Sequence, residues 1–282
     1  MRLSFTIVNY GKIFQKMKQL LIDSHCHLNY QGIRERLDSV IENATNSGVG
    51  VMQTIATKMS DIDEIKNIAN RYENVYYSVG VHPLYVCDEK IVTSEELIKL
   101  AKGDKKVSGF GETGLDYYKA SDDTIIKMQK ESFINHIAAA QIAKLPVIIH
   151  TRDAEYDTYD ILRDMMRKAH FSGVIHCFTG SMDLARNAIE LGLYISASGI
   201  ITFKNADSVR EVFSAIPIDR ILIETDAPFL APVPYRGKVN EPCYIVEVAK
   251  YLAEIRNMEV SDIIRITTDN FLKLFTRVKF QQ

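Results

Sequence analysis

The chain has 282 residues, 46% of them hydrophobic, with a formal net charge of -2. That is enough apolar material for one large core, and it excludes a global basic field, so a polyanion would have to be drawn by a local patch or a bound cation. No apolar run reaches the ~20 residues needed to cross a bilayer. The four cysteines (Cys26, Cys87, Cys177, Cys243) form no C-x-x-C pair. This argues against a zinc cluster or disulfide framework and for a reducing, cytoplasmic setting.

In chain order, Met1–Lys16 reads as an extension outside the fold, with a second plausible start at Met17 and one domain over 17–282. Leu21–Leu28 is a short apolar run carrying His25 and His27. Residues two apart on a strand share a face, so both imidazoles can turn to one point. A helix over Arg34–Ser47 stops at Gly48, and strand, helix, strand follow at Val49–Thr57, Asp61–Tyr72 and Val75–Gly80. A helix at Ser94–Lys102 precedes a strand at Val107–Phe110, which runs into Gly111-Glu112-Thr113-Gly114. The alternation continues with a helix at Asp122–Lys144, a strand at Pro146–His150, a helix at Asp157–Ala169 and a strand at Gly173–Cys177. Then come a helix at Met182–Leu191, a strand at Leu193–Ala197, a helix at Ser208–Ala215 and a strand at Ile221–Thr225. Helices at Tyr244–Ile255 and Ser261–Phe275 end the chain.

Eight short apolar strands alternating with helices predict an α/β fold, a single-domain (β/α)8 TIM barrel. A doubly wound open sheet is the alternative, but no G-x-G-x-x-G follows the first strand. A barrel places its chemistry at the C-terminal ends of its strands. His25, His27, His82, Glu112, His150, His176 and Asp226 all fall there, leaving His136 and His170 as packing or surface residues. Imidazole and carboxylate donors together suit Zn²⁺, Mn²⁺ or Mg²⁺, and six of them suit two divalent metal cations sharing a carboxylate. Cys26 and Cys177 should face away from their neighbouring histidines, as strand alternation requires.

Six blocks sharpen this: IDSHCHL at Ile22–Leu28, GVHP at Gly80–Pro83, GETGLDYY at Gly111–Tyr118, PVIIHTRDA at Pro146–Ala154, GVIHCFTGS at Gly173–Ser181 and ETDAPFLAPVPYRGKVNEP at Glu224–Pro242. In content and order the chain resembles the TatD family of metal-dependent deoxyribonucleases, within the amidohydrolase-like barrels. Thr113 departs from the family block, which has a small apolar residue or Cys there. The resemblance implies a first metal on His25, His27 and Asp226, a bridging Glu112, and a second metal on His150 and His176. It implies hydrolysis of DNA by a metal-activated water, 3′ to 5′ from single-stranded or frayed ends, with no membrane association and no obligate protein partner. Asp226 would serve as ligand and proton acceptor. Glu224, on the same strand face, either positions His25 or His27, helps move a proton, or is simply a buried acid. Asp23 reads as structural. Asp116 contacts substrate or fixes the loop carrying Glu112. His82 and Arg152 hold the scissile phosphate, unless Arg152 pairs with Asp153 or Asp157. Tyr235 and Arg236, in a Pro-Val-Pro-Tyr-Arg loop, either stack a base and hold a phosphate or merely stiffen the loop. The alternatives are a metal-dependent amidohydrolase or esterase acting on a small amide, ester or lactone, and a non-catalytic metal-binding barrel.

Overall fold

The structure, a computed structural model, describes residues 20–120 and 122–279. The extension expected at 1–16 lies outside the described residues. Eight strands are β1 (Leu21–Cys26), β2 (Val49–Thr54), β3 (Val75–Val79), β4 (Val107–Asp116), β5 (Val147–Arg152), β6 (Gly173–Ile175), β7 (Tyr194–Ala197) and β8 (Ile221–Ile223). Each pairs in parallel with the next, in chain order. Between them run α1 (Leu37–Asn46), α2 (Ile62–Arg71), α3 (Ser94–Gly103), α4 (Asp123–Ala143), α5 (Glu155–Lys168), α6 (Met182–Glu190) and α7 (Asp207–Ala215), with α8 (Ile245–Arg256) and α9 (Val260–Leu274) after β8. This is the (β/α)8 barrel that the alternation predicts. Among the described residues, no helix is long and apolar enough to cross a membrane.

The continuous apolar runs are explained by burial on both strand faces. Val147 and Ile149 join the layer facing the helices, while Ile148 between them joins a second cluster; Ile221, Ile223 and Leu222 divide the same way. Phe271 and Phe275, on and just after α9, pack into that second cluster with Ile22, Val51 and Leu222. Each such fully buried side chain contributes about 1.5–3 kcal/mol relative to exposure.

Closure between β8 and β1 relies on side chains as much as on a ladder. The Ser24 hydroxyl donates to the Ile223 carbonyl at 2.8 Å, and Asp23 accepts from Thr225 N at 2.9 Å and Thr225 Oγ1 at 2.6 Å. Asp226 N then donates to His25 O (2.9 Å) and His27 N to Ala227 O (2.7 Å). Asp23 is thus the structural residue expected, and the seam closes at the two histidines.

One strand differs from its predicted span. β4 does not end at Phe110 but continues through Glu112 to Asp116, with a register irregularity against β5 between Phe110 and Thr113. Gly111 and Gly114 have φ of +137° and +141°, and a Cβ on Gly114 would collide with the His150 carbonyl. The Gly-x-x-Gly that reads as a loop is a strand irregularity, a device that re-aims side chains beside active sites.

His136, on α4, is fully buried; its Nδ1–H donates to Ser132 O at 2.7 Å and its Nε2 accepts from Val81 N at 3.2 Å, anchoring the residue before His82. Burial pushes its pKa down to about 4. The unfolded chain therefore binds a proton near pH 6.5 that the folded chain refuses, so this contribution is intact above pH 6.5 and is lost as pH falls toward 4. A gap of that size is worth roughly 3 kcal/mol. Urea unfolding of metal-free protein should show His136→Leu less stable than wild type at pH 7.5, by about 1–3 kcal/mol for the orphaned Val81 N–H. That difference should shrink toward pH 5; a constant difference would disprove the assignment.

Candidate metal centre

The β4 irregularity delivers Glu112 to the middle of the barrel mouth, where it is 3% exposed. Its Oε1 lies 2.6 Å from His176 Nε2, 3.0 Å from His150 Nδ1 and 3.4 Å from His82 Nε2. Its Oε2 lies 3.5 Å from His25 Nε2 and 3.9 Å from His27 Nε2. Asp226, held at φ 56° just past β8, brings Oδ1 to 3.3 Å from His27 Nε2 and 3.6 Å from His25 Nε2. One carboxylate therefore faces two groups of imidazoles with its two oxygens, and a second closes one group.

The outer nitrogens decide which way each ring presents its lone pair. His27 Nδ1–H donates to Ile55 O at 3.1 Å, His150 Nε2 contacts Asp116 Oδ2 at 3.3 Å, and His176 Nδ1 contacts Glu224 Oε1 at 3.3 Å. Each of these acceptors can hold the outer ring proton, so a cation that displaced the inner proton now shared with Glu112 or Asp226 would meet a lone pair, as metal-ligating histidines require. His82 is built the other way. Its Nδ1 accepts from Leu84 N at 3.0 Å, so a neutral ring carries its proton on Nε2 and donates toward Glu112. Burial is the larger influence on His82 and lowers its pKa, which keeps the ring neutral.

Burial alone would raise the Glu112 carboxyl, but His176 and His82 outweigh it and hold it well below the usual carboxylate range. Likewise burial opposes the charge on Asp226, and His27 and His25 override it, leaving a carboxylate. Among the described residues, His25 Nδ1 and Glu224 Oε2 are among the buried polar atoms that lack a hydrogen-bond partner. Both belong to a group, with His176, whose donor atoms lie within 4.8 Å of one another; His25, His27 and Asp226 form another group and His82, Glu112 and His150 a third. Ionised carboxylates and converging imidazole nitrogens make a donor set that fits a divalent cation of borderline or hard character.

Several expectations shift in detail. Glu224 hydrogen-bonds His176 rather than His25 or His27, and Asp116 holds His150 while accepting from Lys119 N at 3.0 Å. Arg152 does not pair with Asp153 or Asp157. Its guanidinium lies 3.9 Å over the Tyr118 ring, whereas Asp157 is held by Lys130 and Tyr117. Cys26 is buried with its thiol toward Gln53 O, as alternation predicts. Cys177 is a correction: β6 stops at Ile175, Cys177 adopts φ 43°, and the residue lines the same cavity as His176, with its Sγ 3.2 Å from Ser198 Oγ. Burial raises its thiol well above the ordinary range, so it presents a neutral thiol, not a thiolate. Tyr235 and Arg236 are not in that cavity. Tyr235 stacks on Tyr244 at 4.0 Å, and Arg236 lies over Phe203 at 3.8 Å while donating to Ala231 O, so both stiffen the loop.

The cavity over the centre encloses ≈ 620 Å³ and includes apolar walls that the sequence reading misses, chiefly Tyr30, Leu84, Ile200 and Phe229. Gln129 is also missed: it accepts from Asp116 N and donates to Pro83 O, tying β4 to the segment after His82. Tyr30 and Phe229 lie close behind His27 and Asp226 in sequence, which is the one signal that could have exposed them.

Comparison with known proteins finds metal-dependent hydrolases. The family described as TatD related DNase matches residues 22–276. The uncharacterized metal-dependent hydrolase YcfH of Escherichia coli (strain K12) is 42% identical over 258 residues, covering 90% of this chain and 95% of that protein. YabD of Bacillus subtilis (strain 168), also an uncharacterized metal-dependent hydrolase, is 41% identical over 258 residues, covering 91% and 99%. Among solved structures, the TatD homologue YJJV of Escherichia coli K12 superposes with a TM-score of 0.84 at 28% identity, covering 91% of this chain and 98% of that one.

Glu112→Gln keeps the side chain's shape and removes its charge. The variant should purify with far less bound divalent metal than wild type by elemental analysis, with an unchanged far-UV circular dichroism spectrum. Wild-type metal content in this variant would rule Glu112 out as a shared ligand.

Proposed function

The chain belongs to the TatD related DNase family and is a metal-dependent hydrolase, and from that premise we propose that it hydrolyses phosphodiester bonds of DNA, 3′ to 5′, from single-stranded or frayed ends. The observation that carries the reading is the two-sided environment of Glu112, with His25 and His27 at Oε2 and His150 and His176 at Oε1. Such a carboxylate is suited to join two divalent cations, one with His25, His27 and Asp226 and the other with His150 and His176. When bound, the cations supply Lewis acidity to the phosphoryl oxygens and lower the pKa of water toward neutrality.

The protein's own groups have separate tasks. Asp226, ionised and at the cavity wall, accepts the proton of the attacking water at its carboxylate. His82, whose Nε2–H points inward, donates to a non-bridging phosphate oxygen, and Arg152 at the same wall presents a fork of N–H donors to that group. Asp116 and Glu224 hold His150 and His176 in the orientation that keeps their lone pairs inward. With a net charge of -2 over the whole chain, attraction of the polyanion falls to the cations and Arg152. A cavity of ≈ 620 Å³ admits a nucleotide at a chain end rather than an intact duplex, which supports action on single or frayed strands.

Metal-reconstituted protein should convert a 5′-labelled single-stranded oligonucleotide into a descending ladder, and blunt duplex more slowly. Asp226→Asn should lower kcat by about a hundredfold or more, the range expected for a lost general base. Turnover of a small amide or lactone with no cleavage of any oligonucleotide would overturn the proposal in favour of an amidohydrolase.

A further inference from the structure

A second cavity of ≈ 600 Å³ lies beside the first, and the two share Thr151, Arg152 and Thr179 as a common wall. Its far side is the beginning of α5, including Tyr156, with Tyr117 and Gly180. Large apolar side chains left exposed gather around this double opening. Leu84 and Phe229 line the first cavity, Tyr156 lines the second at 79% exposure, and Tyr118, 58% exposed, lies under Arg152 between them. Apolar surface concentrated at one place marks a binding surface more than scattered exposure does. Among the described residues Tyr156 has no ring or hydrogen-bond partner, so packing does not explain its position.

The charges of the second cavity decide what it can hold. Its acids are Asp153, Glu155 and Asp157. Glu155 is occupied by Ser181 N (2.8 Å) and Ser181 Oγ (2.5 Å), and Asp157 by Lys130 (2.7 Å) and Tyr117 OH (2.6 Å). An acidic lining repels phosphate but accepts an uncharged ring whose exocyclic groups donate hydrogen bonds. The cation needed for a phosphate stands at the shared wall, in Arg152, which no carboxylate pairs among the described residues.

We infer that the second cavity is a nucleobase subsite for the nucleotide next to the one at the metal centre, with the base stacked on Tyr156 and the linking phosphate carried by Arg152 on its Tyr118 platform. This rests on the phosphodiesterase reading and adds a requirement to it: the substrate is an oligonucleotide, gripped on both sides of the wall. Stacking of this kind is tolerant of sequence because every base offers a π-face.

The test compares Mn²⁺-loaded wild type, Tyr156→Ala and Tyr156→Phe on a short single-stranded oligonucleotide and on bis(p-nitrophenyl) phosphate, which has no second nucleotide. The ratio of kcat/KM for the oligonucleotide to that for the small ester should fall about tenfold in Tyr156→Ala, carried by KM, and be restored in Tyr156→Phe. Oligonucleotide cleavage with the same ratio in all three proteins overturns the subsite and leaves the phosphodiesterase reading standing. Turnover of the small ester by wild type without cleavage of the oligonucleotide overturns both.

Discussion

A carboxylate 3% exposed with five imidazole nitrogens within 4 Å is the constraint on which the mouth of this barrel depends. Glu112 cannot be buried as an anion without strong compensation, and nothing except cationic or hydrogen-bonding partners supplies it. The surroundings answer that demand at several distances. Gly111 and Gly114 let β4 press against its neighbours while changing register; the histidines converge from β1, β5 and the segments after β3 and β6; and Asp116, Glu224 and Ile55 O fix three of the rings from behind. Removing the carboxylate would leave several polar groups without a purpose, which is why the centre reads as one unit.

The division of labour among the histidines follows from single backbone contacts. His27 gives its outer proton to a carbonyl and His82 takes one from an amide, so two otherwise identical side chains acquire opposite chemistry at their inner nitrogens. The first is a lone-pair donor suited to a cation, the second a proton donor suited to an oxyanion. His136 belongs to the same logic one layer out, since its imidazole holds the amide immediately before His82.

Much of this was readable in the residues alone. Eight apolar runs separated by amphipathic helices specify the barrel because buried parallel strands need apolar side chains on both faces, and ligands at strand ends follow from the fold. What escaped was whatever depends on local backbone geometry. The end of strand 4 was misplaced because glycines that interrupt a strand and glycines that end one look alike in sequence. Cys177 was assigned to the wrong face because alternation lapses once the strand stops. Tyr235 and Arg236 looked like a nucleotide platform by composition, yet their partners Tyr244 and Phe203 are fixed by how the loop folds back. The orientations of His27 and His82 were likewise invisible, being set by a carbonyl and an amide that carry no sequence signature.

The seam between the first and last strands gives the cation a second significance. Asp23 and Thr225 meet across 202 residues of chain, and the neighbouring His25 and Asp226 are ligand candidates on opposite sides of the same join. An ion held by both would be in effect a reversible cross-link that closes a loop of about 200 of the 282 residues. Because such an ion would bind the folded form alone, free metal concentration would set how tightly the ring of strands is locked, by mass action on the native state.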